Sequence, residues 1–413
     1  MSSKTVSDFP VLRLRRGEDR RLRAGHLWVF SNEIDVARSS LGDVDSLVRV
    51  VDERDQLLGI AYYNPATLIA ARLLSRSSAA IDLAWMVGRL RAALALREAH
   101  YALPCYRWVF GESDGLPGLI LDRYQDGVVG QIATRGMQAL QSLVEQAVRE
   151  VLAPAWLVWK NDSSARTLEG LPREQQVAVG QVPTELCAAE STARGAALQF
   201  LMPWEHLQKT GWFYDQAFNR SLLPRFLPAR ARVLDVCCYA GGWSVAAAAA
   251  GASAVTAVDA SAAALSAAAA NFNRNAALWA DREVQATWLK GDAFEQLAAL
   301  DGARQRFEAV IVDPPAFIKR RKDLHQGRAA YRKLNQLALR LVSEGGLLVS
   351  CSCSYHLSEA DLLAALQAAA RQSGKTVQVL HVGGQSPDHP VHPAVPETRY
   401  LKAIFCRVSA ADG

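Results

Sequence analysis

At 413 residues the chain has material for two or three domains at about 150 residues each, so a single small module is excluded. Half of its residues are apolar and 21% are charged, with 27 Gly and 16 Pro, which excludes a disordered, collagen-like or coiled-coil chain. The 46 Lys and Arg against 41 Asp and Glu leave +5, a mild excess that permits a polyanionic partner without requiring one.

From Val11 to about Ser75, short β-prone runs (LVRVVD, LLGIAYYN, LIAARLL) alternate with turn clusters such as Leu41-Gly42-Asp43 and Tyr63-Asn64-Pro65, which predicts a small β-rich domain. Its opening carries Arg13, Arg15, Arg16, Arg20, Arg21 and Arg23, followed by Gly25-His26-Leu27-Trp28-Val29-Phe30. Arginines beside aromatics suit phosphate contact and base stacking, and equally a solvated charged edge next to a core Trp and Phe. Residues 81–100 read as an amphipathic helix with Leu83, Met86, Val87, Leu90 and Leu94 inward. Turns and short strands follow over 111–131, then a second helix over 137–152 and strands at 155–160 and around Val177.

From about Arg230, strands alternate with helices: RVLDVC, AVTAVDA, ATWLKGDA, EAVIVDPP and GGLLVSCSCS, with VQVLHV and YLKAIFCRV as a closing hairpin. This pattern predicts a doubly wound parallel sheet whose ligands sit at the carboxyl ends of the strands. The 23 uncharged residues from Val236 to Val258 are long enough to span a bilayer. Gly241-Gly242 and Gly251 instead divide them into strand end, loop, Ala-rich helix and turn. The first dozen residues carry Asp8 and Pro10 and lack the apolar core of a signal peptide, and the seven cysteines include no CxxC pair. We therefore expect a reducing, cytoplasmic setting, no membrane and no metal.

The first strand of the sheet ends Leu234-Asp235-Val236-Cys237-Cys238-Tyr239-Ala240-Gly241-Gly242 and runs into a helix. An acid before a single Gly pair differs from the GxGxxG series of a diphosphate site, so the expected ligand is cationic. Asp259 ends the second strand, where a carboxylate can take two ribose hydroxyls, and Asp292 ends the third. Each acid alone could be a helix cap. Three in order, beside a Gly-Gly loop, fit S-adenosylmethionine. The fourth strand ends Asp313-Pro314-Pro315-Ala316-Phe317, a rigid loop able to hold a flat base, and Lys319-Arg320-Arg321-Lys322 follows at once. The fifth ends with Cys351 and Cys353 on one face, the latter nearer the ligand crevice. A thiolate there could add to pyrimidine C6 and make C5 able to attack a sulfonium methyl, although buried strand cysteines are commonly inert packing.

These residues resemble the bacterial 23S ribosomal RNA cytosine-C5 methyltransferases that carry an N-terminal PUA domain. The resemblance rests on the arginine-rich opening through Gly25-His26-Leu27-Trp28-Val29-Phe30-Ser31-Asn32-Glu33-Ile34, on Gly111-Glu112-Ser113-Asp114-Gly115-Leu116-Pro117-Gly118-Leu119, on Lys209-Thr210-Gly211-Trp212-Phe213-Tyr214-Asp215-Gln216, and on the Asp313 and Cys353 segments. It implies an α/β protein in three parts: a β-rich PUA-like RNA-binding domain at 1–76, a central α+β domain at 77–187, and a class I (Rossmann-like) methyltransferase domain at 188–413 with strand order 3-2-1-4-5-7-6. By the same resemblance, Asp235, Tyr239, Gly241, Gly242, Asp259, Asp292 and Asp313 handle S-adenosylmethionine. Cys353 takes the nucleophile position, with Asp313 beside it; the residues themselves point to Arg13, Arg16, Pro314, Phe317, Lys319, Arg320 and Arg321 as the RNA contacts.

The implied reaction is methylation at C5 of cytosine 1962 of 23S rRNA through a covalent Cys-C6 adduct, on naked RNA or a partly assembled large subunit. A homodimer is left open. Phe213 to Asn219 also resembles a Phe-x-Gln-x-Asn segment of related enzymes, but here Gln216 and Asn219 are three apart, which leaves Gln216 outside the assigned site. Competing readings are an exocyclic-amine RNA N-methyltransferase, a non-catalytic RNA-binding protein and, less supported by the glycine pattern, a nicotinamide oxidoreductase. His389 and His392 are expected in a surface loop, and the Gly111–Gly118 motif has no assigned chemistry.

Overall fold

Runs of β-branched and aromatic residues become strands largely where the sequence places them. The computed structural model describes residues 8–41, 47–192 and 195–411. Two expectations fall outside these residues: most of the Leu41-Gly42-Asp43 turn, and the first seven positions of the segment examined for export. By its contacts the chain divides into two units, Met1–Pro183 with Gln208–Thr210 and Asp388–Thr398, and Thr184–Leu207 with Gly211–Pro387 and Arg399–Gly413.

The first unit opens with β1 (Val11–Arg13), α1 (Arg20–Arg23), β2 (Trp28–Phe30), β3 (Leu47–Val51), β4 (Leu57–Tyr63) and β5 (Ile69–Ser75). These strands form one sheet in the order β1-β3-β4-β5-β2 over a core that includes Leu12, Val29, Val50 and Ala71. Next come α2 (Leu83–Glu98), β6 (Cys105–Phe110), β7 (Leu119–Tyr124), β8 (Gly127–Ile132), α3 (Arg135–Ala139), α4 (Gln141–Leu152), β9 (Trp156–Asn161), α5 (Ala165–Leu168) and β10 (Glu174–Val179). The second sheet runs β10-β9-β8-β7-β6 and packs Trp108 and Trp159 against Leu90, Met137 and Val144. The Gly111–Gly118 motif is a structural knot in this unit. Asp114 accepts both arms of the Arg97 guanidinium and the Phe110 N–H, while Glu112 accepts from Trp28 Nε1 at 3.0 Å. His389 is not a surface residue. It is 2% exposed, its ring lies 5.0 Å from Phe110, and Asp388 beside it accepts from the Tyr101 hydroxyl and the Arg107 N–H. A polar residue in a Pro-flanked loop looks exposed in sequence, and only its long-range partners reveal otherwise.

The second unit begins with the hairpin β11 (Glu185–Ser191) and β12 (Ala197–Pro203), then α6 (Ala217–Leu222), β13 (Arg232–Val236), α7 (Gly242–Ala250), β14 (Ala254–Asp259), α8 (Ala262–Arg274) and β15 (Gln285–Lys290). It continues through α9 (Ala293–Gly302), β16 (Phe307–Val312), α10 (Leu324–Leu341), β17 (Val342–Ser352), α11 (Glu359–Gln372), β18 (Lys375–Gly383) and β19 (Lys402–Ala410). Seven strands run β15-β14-β13-β16-β17-β19-β18, the expected 3-2-1-4-5-7-6, and β19 is antiparallel to both neighbours. β18 and β19 do pair, but the link from 384 to 401 is too long for a tight hairpin, and Asp388–Thr398 within it counts with the first unit. The uncharged Val236–Val258 run is the end of β13, a turn, α7 and most of β14, and no helix among the described residues is long and apolar enough to cross a membrane.

Candidate active site

Five parallel strands of the seven-stranded sheet end along one edge, and the sequence sets an acid or a thiol at or just beyond each end: Asp235, Asp259, Asp292, Asp313 and Cys353. Asp235 is fully buried. The Ser244 hydroxyl on α7 donates to its Oδ2 at 2.6 Å, and Oδ1 has no hydrogen-bond partner among the described residues. Burial, opposed by the Ser244 bond and reinforced by the Asp313 and Asp259 carboxylates, pushes its pKa up to about 7.

After β13 the chain turns tightly, with positive φ at Cys237, Tyr239 and Gly241. Asp259 holds this turn: its Oδ2 accepts the Tyr239 N–H and its Oδ1 the Ser261 N–H, each at 2.9 Å. A carboxylate has about four acceptor positions, so two remain for a diol. The Tyr239 hydroxyl donates to the Gly211 carbonyl at 3.2 Å, and its ring meets Phe213 edge-on. At Gly241 (φ 83°) a Cβ would stand 3.0 Å from the Ala268 Cβ and 3.1 Å from its Cα, so α8 crosses too closely for a side chain; Gly242 then opens α7. Burial and four nearby carboxylates push the Cys237 thiol up to about 12, which suits packing better than chemistry. Asp292 is exposed and caps α9, its Oδ1 accepting the Phe294 and Glu295 N–H groups.

Asp313 is partly buried and fixed from two sides: Gln216 Nε2 donates to Oδ1 at 3.0 Å and Trp243 Nε1 to Oδ2 at 3.1 Å. Burial raises its pKa to about 6, with the Trp243 and Gln216 bonds opposing and Asp215 adding to the rise. Asn219 Nδ2 in turn donates to Gln216 Oε1 at 2.7 Å. Sequence reasoning left Gln216 out and did not consider Trp243. The signal was present in the Phe213–Asn219 segment, whose changed spacing still brings both amides into one chain of hydrogen bonds.

Cys353 lies just past β17, partly exposed, its Sγ 4.0 Å from the Pro314 carbonyl oxygen. Its neighbour Ser354 is anchored by the Ile318 N–H at 3.2 Å and shares a 2.9 Å bond with the Tyr331 hydroxyl. Cys351 is fully buried, and burial raises its thiol well above the usual range. The two cysteines thus separate into a packed residue and a reachable one.

The residues singled out for RNA divide similarly. Arg13 is turned into the fold, where it pairs with Asp55 and donates to the Arg38 carbonyl, its side chain only 12% exposed. Arg21 is bound to Glu33 and lies over the Phe30 ring, and Arg23 is paired with Asp52. Arg13 and Arg21 are therefore tied into ion pairs at the edge of the fold, while Arg15, Arg16, Arg20 and Arg23 remain exposed. Lys319, Arg320 and Arg321 are exposed, with Arg320 near Asp323 at 3.3 Å. Pro314 is buried, and Phe317 packs half-buried against Tyr331 at 4.8 Å.

This donor set suits a ligand combining a cation with a ribose. A buried carboxylate with an unpartnered oxygen calls for positive charge, and Asp259 retains acceptor positions for hydroxyls. S-adenosylmethionine fits both requirements. No group of three or more His, Cys, Asp or Glu able to hold a metal ion is found among the described residues.

Comparison with known proteins agrees with this cofactor. The PUA-like domain family matches residues 12–76, and the S-adenosylmethionine-dependent methyltransferase family matches residues 131–407. Curated relatives include the ribosomal RNA large subunit methyltransferase I of Salmonella schwarzengrund (strain CVM19633), 31% identical over 99% of this chain and 100% of that protein. Its namesake from Escherichia coli O157:H7 is 31% identical over 96% of this chain and 98% of that one. Among solved structures, SMU.776, a protein assigned as a methyltransferase and complexed with SAH, superposes with a TM-score of 0.79 at 20% identity, covering 96% of this chain and 99% of that chain. A chain from Streptococcus mutans assigned as a SAM-dependent methyltransferase gives 0.78 at 20% identity, with the same coverage. These two establish a shared fold. The chain belongs to the S-adenosylmethionine-dependent methyltransferases, in the ribosomal RNA large subunit methyltransferase I family, with a PUA-like domain at its N-terminus, a class I catalytic fold and S-adenosylmethionine as its cofactor.

Proposed function

We propose that this enzyme methylates C5 of a cytosine in 23S ribosomal RNA, the family position being cytosine 1962, through a covalent adduct with Cys353. The observation that carries the reading is the reachable Cys353 thiol set 4.0 Å from the carbonyl of the Asp313-Pro314 loop, beside the acids assigned to the cofactor. On this reading Asp235, Tyr239, Gly241, Gly242, Asp259 and Asp292 hold S-adenosylmethionine, which when bound supplies an electrophilic methyl on a sulfonium. Pyrimidine C5 is too weak a nucleophile to take that methyl unaided. The Cys353 thiolate adds at C6, and the C5–C6 π pair moves to C5. C5 then forms its bond to the methyl carbon as the old carbon–sulfur bond breaks. Loss of the C5 proton and departure of the thiolate from C6 restore the ring. On the same reading Asp313, whose pKa burial raises to about 6, exchanges a proton with the base as electron density shifts.

Exposed Arg16, Lys319, Arg320 and Arg321 are assigned to RNA phosphates, and the Pro314–Phe317 loop to the face of the target base. A base reached this way must leave its stack, at about a few kcal/mol, which favours naked RNA or a partly assembled large subunit as substrate. Seven free cysteines suit a reducing, cytoplasmic setting.

The test is incorporation of labelled methyl from S-adenosylmethionine into unmodified 23S RNA, followed by nucleoside mass spectrometry, with Cys353→Ala in parallel. The expected result is 5-methylcytidine that disappears in the variant. A methylated purine would replace this reading by exocyclic-amine chemistry, and RNA binding without any methylated nucleoside would replace it by a non-catalytic role.

A further inference from the structure

A free cysteine thiol has a pKa of about 8.5 and is mostly protonated at neutral pH, so a cysteine nucleophile needs a nearby positive charge. The basic loop after Asp313 is exposed, where solvent screens its charge. A different cation lies inside the fold. Lys402 opens β19 and pairs in register with Ser352, the last residue of β17, one position before Cys353. Its side chain is almost entirely buried. Nζ donates to the Ser354 carbonyl at 2.6 Å and to the Tyr400 carbonyl at 2.8 Å, so Lys402 clamps the turn that carries Cys353. An ammonium has three N–H donors, and the third has no acceptor among the described residues. No carboxylate forms an ion pair with Lys402 among these residues either, although a buried ammonium without a counter-charge is costly.

The charges around this pair come from several elements. Tyr331 on α10 and Cys351 on β17 interact electrostatically with Cys353, while Arg399 and, from α11, Asp361 act on Lys402. Burial lowers the Lys402 pKa to about 8, and the Cys353 thiolate is the first opposing charge.

We propose that Lys402 is the positioning residue of the nucleophile: it ties the Cys353-Ser354 turn, through the Ser354 carbonyl, to the Tyr400 carbonyl at the entry to β19, and supplies the buried counter-charge that holds Cys353 as a thiolate. The thiol proton leaves to solvent, and Lys402 keeps its own. This inference rests on the reading of Cys353 as the nucleophile.

The experiment measures alkylation of Cys353 by iodoacetamide across about pH 6 to pH 10 in the full-length, cofactor-free protein, quantified by peptide mass spectrometry, with Cys187 as the internal comparison. Lys402→Gln keeps donors for the two carbonyls and removes the charge, and Lys402→Arg keeps the charge. Lys402→Met is the apolar alternative should the Gln variant fail to fold. In Lys402→Gln the midpoint of Cys353 reactivity is expected to rise by about one pH unit, an approximately tenfold smaller thiolate fraction at neutral pH. Lys402→Arg should stay near wild type and Cys187 should not move. A natively folded Lys402→Gln or Lys402→Met protein with an unchanged Cys353 midpoint overturns the proposal. The Cys353→Ala methylation assay reports separately on the nucleophile. If that variant stays active while the midpoint shifts, the covalent reading fails and the pairing stands; a dead Cys353→Ala with an unmoved midpoint fails Lys402 alone.

Discussion

A carboxylate buried at the end of β13 with one oxygen unpartnered destabilises the cofactor-free protein and suits a cationic ligand, and the two effects titrate together. The folded pKa of Asp235, about 7, lies above the ordinary value near 4 of the unfolded chain. Between those limits the folded state retains a proton that the unfolded state has lost, so this group's contribution to stability falls as pH rises through the window and stays low above it. Asp313, raised to about 6, acts in the same sense. Asp235→Asn should therefore raise the thermal midpoint of the cofactor-free protein at pH 8 and flatten its decline between about pH 4 and pH 7, while weakening S-adenosylmethionine by about tenfold or more. Thermal melts with and without S-adenosylmethionine check both halves, and a variant that binds as tightly as wild type would remove Asp235 from the cofactor site. Asp235 was legible in the sequence because a strand end announces itself locally. Trp243 and Lys402 were not, because they reach their partners only through the folded sheet; Gln216 was visible in its segment but not its partner, since Gln216 and Asp313 are 97 positions apart.

Among the elements, the segment around α6 ties the site loop to the β11–β12 hairpin through a buried ion pair. Both arms of the Arg220 guanidinium meet the Glu190 carboxylate, Trp212 Nε1 donates to the same group at 2.6 Å, and Arg220 also donates to the Phe213 carbonyl at 2.8 Å. Removing one partner leaves a buried charge alone, whereas removing both need not. Arg220→Met should cost about 3–5 kcal/mol in urea unfolding, and Arg220→Met with Glu190→Gln should recover part of that loss. Equal destabilisation by the single and double variants would show that the guanidinium acts through packing on Trp212 instead of charge. The regular β/α alternation of the large sheet was readable from hydrophobic pattern alone, whereas its strand order came only from the family resemblance. The 384–401 connection was not, because the partners of Asp388 and His389 lie almost three hundred positions earlier, and loop composition says nothing of them.

At the scale of the whole chain, a net charge of +5 understates how unevenly usable cations are distributed. Arg13, Arg21, Arg23, Arg72, Arg97 and Arg107 are all held by carboxylates within the first unit, so three arginines of the arginine-rich opening are already engaged in ion pairs, although Arg15, Arg16, Arg20 and Arg23 are exposed. Lys319, Arg321 and Lys322 are exposed and form no ion pair among the described residues. Counterion release from a single strand contributes about 0.7 to the slope of log affinity against log salt for each phosphate neutralised. A triple Lys319→Ala, Arg321→Ala, Lys322→Ala protein should therefore lose about two units of that slope and bind 23S RNA more weakly at low salt, with S-adenosylmethionine affinity unchanged. Arg13→Ala should instead lower stability and leave the slope nearly intact, because its guanidinium is already engaged with Asp55. Titrations of fluorescent RNA across salt concentrations separate the two surfaces. A slope that falls with Arg13→Ala and not with the triple variant would move the phosphate contacts back to the arginine-rich opening.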